Sequence, residues 1–339
     1  MSSLLDPGYL WRGARLLKTF VGGKISHANI QLTNRCNMRC GFCTFPERAV
    51  APSAELTTEQ WRSVSRKLSE AGSVVCSLEG GEPFLREDLV QIVEGFAQFH
   101  HPWLYTNGWY VTPELARDLW KNGLIEIGVS IDYATKEKHD QSRRLPGAFE
   151  KAVAAIKTLA ACAPRGGRSV HILSILLHDN VAELEPLLEL SKSLGVRHMF
   201  TLLSTHGIYR SARAQSVPRE KVAPRIFELK KRYPHLAMFR SYVEGIDRYL
   251  DGNPPPCGAG ISGMNIDHLG NVSSCIELAD RNVASLVRDA WPEVERKLAA
   301  FSEPRSCTKC WTLCRGATEA MAGKPKLANW RDFVTEFVV

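Results

Sequence analysis

His27-Ala28-Asn29-Ile30-Gln31-Leu32-Thr33-Asn34-Arg35-Cys36-Asn37-Met38-Arg39-Cys40-Gly41-Phe42-Cys43 is the stretch on which the fold turns. Its first half, His27 to Thr33, is a β-rich run, and the chain passes from it directly into a loop holding three cysteines. Cys36, Cys40 and Cys43 bring three thiolates together with no fourth ligand nearby. Four thiolates would close a structural zinc site or an electron-transfer cluster, whereas three leave one iron of a cubane open to another ligand. A zinc loop completed by a distant histidine is the competing assignment.

Outward from this stretch, β-rich runs recur at Ser73 to Leu78, Trp103 to Thr106, Ile125 to Ile131, Ser169 to Leu176 and Arg197 to Leu202. Between them, spacings such as Trp61, Val64 and Leu68, or Leu184, Leu187, Leu188 and Leu194, repeat with the helical period. Six βα units imply a parallel sheet, and right-handed crossovers curl it into an open barrel whose working face is made by the loops after the strands. The expected fold is α/β, a partial (β/α)6 TIM-like barrel followed by a small cysteine-rich α+β domain. Asn253 to Pro256 interrupts the alternation. The domains expected are an amphipathic segment at 1–26, the barrel at 27–245 and the cysteine-rich unit at 246–339.

Composition narrows the function classes. The 339 residues are 44% hydrophobic and 23% charged, enough to bury a sizeable core. There is no apolar run of about 18 residues and no secretory signal pattern, which gives a cytoplasmic expectation. In a reducing compartment ten cysteines grouped at 36/40/43 and 257/275/307/310/314 read as ligands of soft metals, and Cys76 and Cys162 as small buried hydrophobes. The net charge of +7 is dispersed without aromatic interleaving, so no nucleic acid is expected. An anionic substrate or a weak membrane-surface contact is compatible with it.

The loops after the later runs carry more chemistry. Glu79-Gly80-Gly81-Glu82-Pro83 follows the second run; its glycines admit close backbone approach, and Glu82 can accept from an ammonium. Thr106-Asn107-Gly108 follows the third. After the fourth come Ser130-Ile131-Asp132, His139-Asp140-Gln141-Ser142-Arg143 and Gly147-Ala148-Phe149. This ordered set, with C-x3-C-x2-C and Phe42 before its last cysteine, resembles the radical S-adenosylmethionine (SAM) superfamily.

The resemblance covers roughly residues 28 to 235. It implies a 4Fe-4S cluster on Cys36, Cys40 and Cys43, with SAM chelating the open iron. It implies further that Phe42, Gly80, Gly81, Glu82, Asn107, Ser130, Asp132 and Arg143 line the SAM site. Glu82 would meet the amino group, Ser130 and Arg143 the carboxylate, and Asp132 the ribose; Arg143 suits carboxylate pairing through its planar fork. Arg144 is a substitute for Arg143, and Asn180 is either a residue near SAM or a helix cap. The implied chemistry is reductive cleavage of SAM to a 5'-deoxyadenosyl radical that abstracts hydrogen from substrate, with a flavodoxin or ferredoxin as electron donor.

The second cysteine group reads Cys257, then Gly270-Asn271-Val272-Ser273-Ser274-Cys275, then Cys307-Thr308-Lys309-Cys310-Trp311-Thr312-Leu313-Cys314. Ile266 to Val272 suits a β-hairpin. The opening matches the auxiliary-cluster extension called SPASM, C-x(9-15)-G-x4-C, but the chain then has C-x2-C-x3-C and no later cysteine, so it resembles the shorter twitch domain with one auxiliary 4Fe-4S cluster. Cys257, Cys275, Cys307 and Cys310 are the first choice of ligands, with Cys314 spare or exchanged for one of them. A four-cysteine zinc site is the alternative.

Tyr9 to Val21 puts Leu10, Ala14, Leu17 and Val21 on one helical face, with Arg12, Arg15 and Lys18 elsewhere, and is expected to cap the barrel bottom. The expected function is SAM-radical oxidation or cross-linking of a peptide, although the short segment before the barrel leaves no room there for a leader-binding domain. The alternatives are dehydrogenation or rearrangement of a small molecule such as a sugar or lipid precursor, or a zinc-stabilised binding protein without catalysis. A peptide would need a groove bordered by residues 203 to 250, where Arg210, Arg213 and Arg219 could meet acidic groups.

Overall fold

The computed structural model describes residues 7–164, 166, 168–211, 217–301, 307–321 and 327–333. Its first six strands are β1 (His27–Thr33), β2 (Val75–Gly80), β3 (His101–Thr106), β4 (Glu126–Ser130), β5 (Ser169–Leu176) and β6 (Arg197–Leu202). Helix α1 (Pro7–Val21) precedes them. The crossovers contain α2 (Thr58–Leu68), α3 (Leu89–Ala97), α4 (Pro113–Lys121), α5 (Lys136–Arg143), α6 (Ala148–Cys162) and α7 (Leu184–Ser193). After β6 come α8 (Ala223–Arg232), α9 (Arg240–Leu250), β7 (Gly263–Ile266), β8 (Asn271–Ser273), β9 (Ala284–Ser285), α10 (Trp291–Ala300), α11 (Leu313–Met321) and α12 (Leu327–Phe333).

The sheet order is β6-β5-β4-β3-β2-β1-β7-β8-β9, with β1 to β6 parallel throughout. β6 and β9 are its edges, so the sheet curls without closing, as a partial barrel does. β7 joins β1 in parallel, with Ala28 opposite Met264, and β8 returns antiparallel as the expected hairpin, turned where Gly270 N donates to Asp267 O at 2.9 Å. The cysteine-rich segment therefore continues the sheet of the barrel.

Period-2 alternation divides the strands between two faces. Ala28, Ile30, Leu32, Leu78, Leu104, Ile127 and Val129 are fully buried in one core with Trp61, Ile92, Phe96, Leu119, Ile156 and Leu188 of the crossover helices. Each such large apolar side chain contributes about 1.5–3 kcal/mol by burial. The alternate positions Asn29, Glu79, Tyr105 and Ser130 line the cavity described below.

Two helices seat the ends of this arrangement. Before α11, Trp311 Nε1 donates to Tyr242 O of α9 at 2.8 Å, and Leu313 N donates to Thr201 Oγ1 on β6 at 3.0 Å. That fastens α11 beside the open edge at β6. Helix α1 buries Arg12, Leu16, Thr19 and Phe20, while Leu10, Ala14, Leu17 and Val21, the row singled out by periodicity, face outward. The helix carries two apolar rows, and periodicity cannot say which one the core takes. Among the described residues no helix is long and apolar enough to cross a membrane.

Candidate active site

The cysteine loop after β1 is held from the side by residues 208–211. Thr44 N donates to Tyr209 O at 3.0 Å, Thr44 Oγ1 to Ile208 O at 2.9 Å and Arg48 Nε to Ile208 O at 2.8 Å. Phe45 stacks on Tyr209 at 4.0 Å between ring centroids. Behind the loop, the buried Glu55 carboxylate accepts from Thr33 Oγ1 and pairs with Arg35 at 3.0 Å and Arg86 at 3.3 Å. Arg86 is tied in turn to Leu56 O and Asp88. No motif pointed to Glu55 or Arg86; the signal missed was a carboxylate and two arginines converging from the connections after β1 and β2.

The loop after β2 lies directly on the cysteine loop. Gly80 adopts φ 131°, and a Cβ there would stand 2.2 Å from Thr33 O; a Cβ on Gly81 would stand 2.2 Å from Arg35 O. Gly81 N donates to Thr33 O and Glu82 N to Arg35 O at 2.7 and 2.8 Å. The two glycines thus serve backbone contact between the loops. Glu82 is fully buried, with Oε1 accepting from Phe84 N at 3.1 Å and Thr106 Oγ1 at 2.8 Å, and Oε2 accepting from Asn107 N at 2.8 Å. Burial pushes its carboxyl up to about 7 despite those donors.

After β4 the motif residues divide into two that face the cavity, Ser130 and Arg143, and several that brace the loops around them. Asp140 accepts from Gly147 N at 2.7 Å and Phe149 N at 2.8 Å, bracing the start of α6. His139 Nδ1 accepts from Asp132 N at 3.2 Å, and burial with the neighbouring Arg143 charge lowers its pKa to about 2, so it is neutral. Arg143 pairs with Asp132 Oδ2 at 2.6 Å, and its Nη1 lies 4.0 Å from Cys40 Sγ. Burial would lower its pKa, but Asp132 and Cys40 outweigh that and raise it. Arg144 is exposed, in the left-handed conformation at φ 51° that ends α5. Asn180 donates to Asp132 O at 3.1 Å and Ile175 O at 2.7 Å, joining the ends of β4 and β5.

These loops enclose a cavity of about 250 Å³ lined by Cys36, Cys40, Cys43, Phe42, Gly80, Gly81, Asn107, Ser130 and Arg143. Glu82 and Asp132 do not line it; both have 0% exposure and stand behind it. Burial pushes the Cys36 thiol up to about 12 and raises Cys40 and Cys43 as well. Thiols so placed become thiolates when a metal replaces the proton. The donor set fits a three-thiolate cluster with a chelating ligand: three free cysteines, a buried guanidinium beside one of them, and Arg143 Nε with no hydrogen-bond partner among the described residues. Among the described residues no three His, Cys, Asp or Glu side chains form a ligand set for a single metal ion. Glu79, Arg210 and Glu277 also line the cavity and were not expected there as a group; Arg210 pairs with Glu277 at 2.5 Å.

A second cavity of about 290 Å³ is lined by Cys257, Cys275, Cys307, Cys310 and Cys314. Arg315 lies against it, donating to Cys310 O at 2.6 Å and to Glu319 at 2.9 Å, so a positive charge stands beside these thiols. Burial pushes Cys310 up to about 12 and raises Cys257, Cys275 and Cys314. Asn29, Ile276, Glu277, Thr312 and Cys314 line both cavities and form a common wall. Cys76 is fully buried in the core and Cys162 is partly exposed on α6. Arg219 is exposed, and Arg213 lies outside the described residues.

Comparison with known proteins agrees with this geometry. An AdoMet-dependent heme synthase of Methanosarcina barkeri is 31% identical over 59% of this chain, and the match spans 57% of that protein's length. A PqqA peptide cyclase of Ruegeria pomeroyi is 28% identical over 87% of this chain and 83% of its own. The fold of Streptococcus suis SuiB, solved bound to the precursor peptide SuiA, superposes with a TM-score of 0.63 at 14% identity, over 93% of this chain and 78% of that one. The Radical SAM superfamily model matches residues 30–191, the span that contains the three-cysteine loop, the paired glycines and Arg143. Residues 30–191 of the chain are accordingly similar to the Radical SAM superfamily domain.

Proposed function

We propose that this protein modifies a peptide by SAM-radical chemistry, assisted by an auxiliary iron-sulfur cluster in the second cavity. The observation that carries the proposal is the common wall: a cavity bearing three thiols and Arg143 adjoins one bearing five thiols, with Asn29, Ile276, Glu277, Thr312 and Cys314 between them. When bound, the first cluster supplies the electron that splits SAM into methionine and a 5'-deoxyadenosyl radical able to take a hydrogen atom from substrate.

The chain's own residues do the rest. Cys36, Cys40 and Cys43 would hold the cluster, and Arg143, paired with Asp132, whose backbone N–H donates to the neutral His139, would pair with the SAM carboxylate. Ser130 and Asn107 line the same cavity, and Phe42 covers it beneath Arg143 at 5.6 Å from its ring centroid. Glu82 orders the Asn107 loop, and Asp132 orients Arg143. Cys257, Cys275, Cys307 and Cys310 would hold the auxiliary cluster, with Arg315 balancing their charge.

A peptide substrate is supported by the match to the PqqA peptide cyclase along most of both chains. Leu203, Ser204 and Arg210, from the segment expected to border a groove, line the first cavity. The heme synthase match supports a second reading, in which the substrate is a small molecule.

The test is an anaerobic iron and sulfide count with EPR, followed by a dithionite-driven assay for 5'-deoxyadenosine. About eight irons per chain with SAM cleaved is the expected outcome. Zinc without cleavage would reject the radical reading. Stimulation of cleavage by peptides but not by tetrapyrroles or sugars would then favour the first substrate class.

A further inference from the structure

Five cysteines line the second cavity, and a cubane takes four. Cys257, Cys275, Cys307 and Cys310 line that cavity and neither of its neighbours. Cys314 also lines the first cavity and an apolar one of about 80 Å³ shared with Tyr105 and Leu313.

The backbone explains the division. Cys307 and Cys310 precede Trp311, whose indole is tied to α9, whereas Cys314 sits in the first turn of α11, which begins where Leu313 N is tied to β6. Cys314 is thereby carried against the barrel interior. A second side chain at the same wall is incomplete. Asn29, 7% exposed, lines both large cavities, and its Oδ1 has no hydrogen-bond partner among the described residues. An unmatched buried carbonyl is destabilising, and a ligand's donor would recover that loss.

We propose that Cys314 is not a cluster ligand but a free thiol facing the substrate, and that with the Asn29 carbonyl it receives a hydroxyl or amide N–H of the substrate where the two cavities meet. The proposal rests on the functional reading above for the identity of the ligand in each cavity. The partition of five thiols into four and one is tested separately from it.

The experiment is anaerobic labelling of the metal-loaded protein with methyl methanethiosulfonate, mapped by mass spectrometry, with and without saturating SAM. Cys314 is expected to label while Cys257, Cys275, Cys307 and Cys310 are protected. SAM should slow labelling of Cys314 at least fivefold and leave Cys162 unchanged. Cys314→Ser and Cys314→Ala should keep the full iron content, while Cys310→Ser loses about half of it.

Protection of Cys314 with labelling at one of the other four, or loss of half the iron in both Cys314 variants, would overturn the proposal. So would labelling of Cys314 that SAM does not slow, because the thiol would then not face the first cavity. Zinc in place of iron would overturn the functional reading, while the same protection map would still decide whether Cys314 is the unligated fifth thiol.

Discussion

The backbone N–H of Asn107 donates to Glu82 Oε2 at 2.8 Å, so the loop after β3 hangs from the loop after β2 through a carboxylate that does not line the cavity. Glu82→Gln replaces one accepting oxygen by a donor and leaves Asn107 N or Thr106 Oγ1 unmatched. A loss of about 1–3 kcal/mol is expected in both thermal stability and SAM affinity. Equilibrium SAM binding and calorimetric melting of the same variant check it. Weakened binding at unchanged stability would instead make Glu82 a direct ligand of SAM.

Gly81→Ala should be more damaging than its size suggests. The new methyl would stand 2.2 Å from Arg35 O, a backbone atom one residue before Cys36, so the cysteine loop must move. Overpacking of this kind costs about 1–3 kcal/mol. Reconstituted Gly81→Ala is expected to hold less iron than wild type and to form little 5'-deoxyadenosine. A variant with wild-type iron and cleavage would show that the loop contact is dispensable.

Much of this architecture was legible because its signals are local. β1, β5 and β6 coincide with runs visible in the sequence, and the other three strands begin or end within two residues of them. The three-cysteine loop, the paired glycines and Arg143 could be placed by their order after successive strands. What resisted is the division of labour among motif residues. Asp140, His139 and Asn180 satisfy backbone donors and acceptors across loops, and spacing cannot separate such a brace from a cofactor contact. The pair Arg210 and Glu277 meets across 67 positions of sequence, beyond any periodic signal.

Two carboxyls give the cluster-free chain a defined pH dependence. Burial pushes Glu79 and Glu82 up to about 7 from the ordinary glutamate value of 4.5; Arg210 opposes the shift at Glu79 and Glu277 adds to it. Between those values the native chain binds more protons than the unfolded one, so stability is fully present below about pH 4.5 and is lost as pH rises through 7. Glu79→Gln cannot ionise and should flatten this fall by an amount on the order of 1 kcal/mol, the carboxyl being only partly accessible and so partly screened. Denaturant midpoints of the two proteins at pH 5 and pH 8 measure it. Equal slopes would mean that Glu79 is ordinary in its titration.

Glu55→Ala removes the one carboxylate that joins Arg35 and Arg86 behind the cysteine loop. Glu55 and Arg86 are nearly inaccessible, with side chains 1% and 6% exposed, so deletion takes one of two carboxylates from a buried guanidinium and leaves it with Asp88. The expected cost is about 3–5 kcal/mol, read from urea unfolding, whereas the exposed pair Arg117–Glu114 should cost under about 1 kcal/mol when broken. Comparable losses in the two variants would show that the buried pair is not a fixed support of the loop.

Loss of single thiols should separate the two cavities. Cys36→Ala, Cys40→Ala and Cys43→Ala each remove a thiol from the cavity that contains Arg143 and are expected to abolish 5'-deoxyadenosine formation while about half of the iron remains. Cys275→Ala removes a thiol found in the other cavity and should lose the complementary half, leaving the EPR signal that responds to added SAM. The two losses should be independent, because the two groups share the wall from Asn29 to Cys314 but no cysteine other than Cys314. If Cys275→Ala erased the SAM-responsive signal, the two cavities would form one cofactor site, and the assignment of separate clusters would fall.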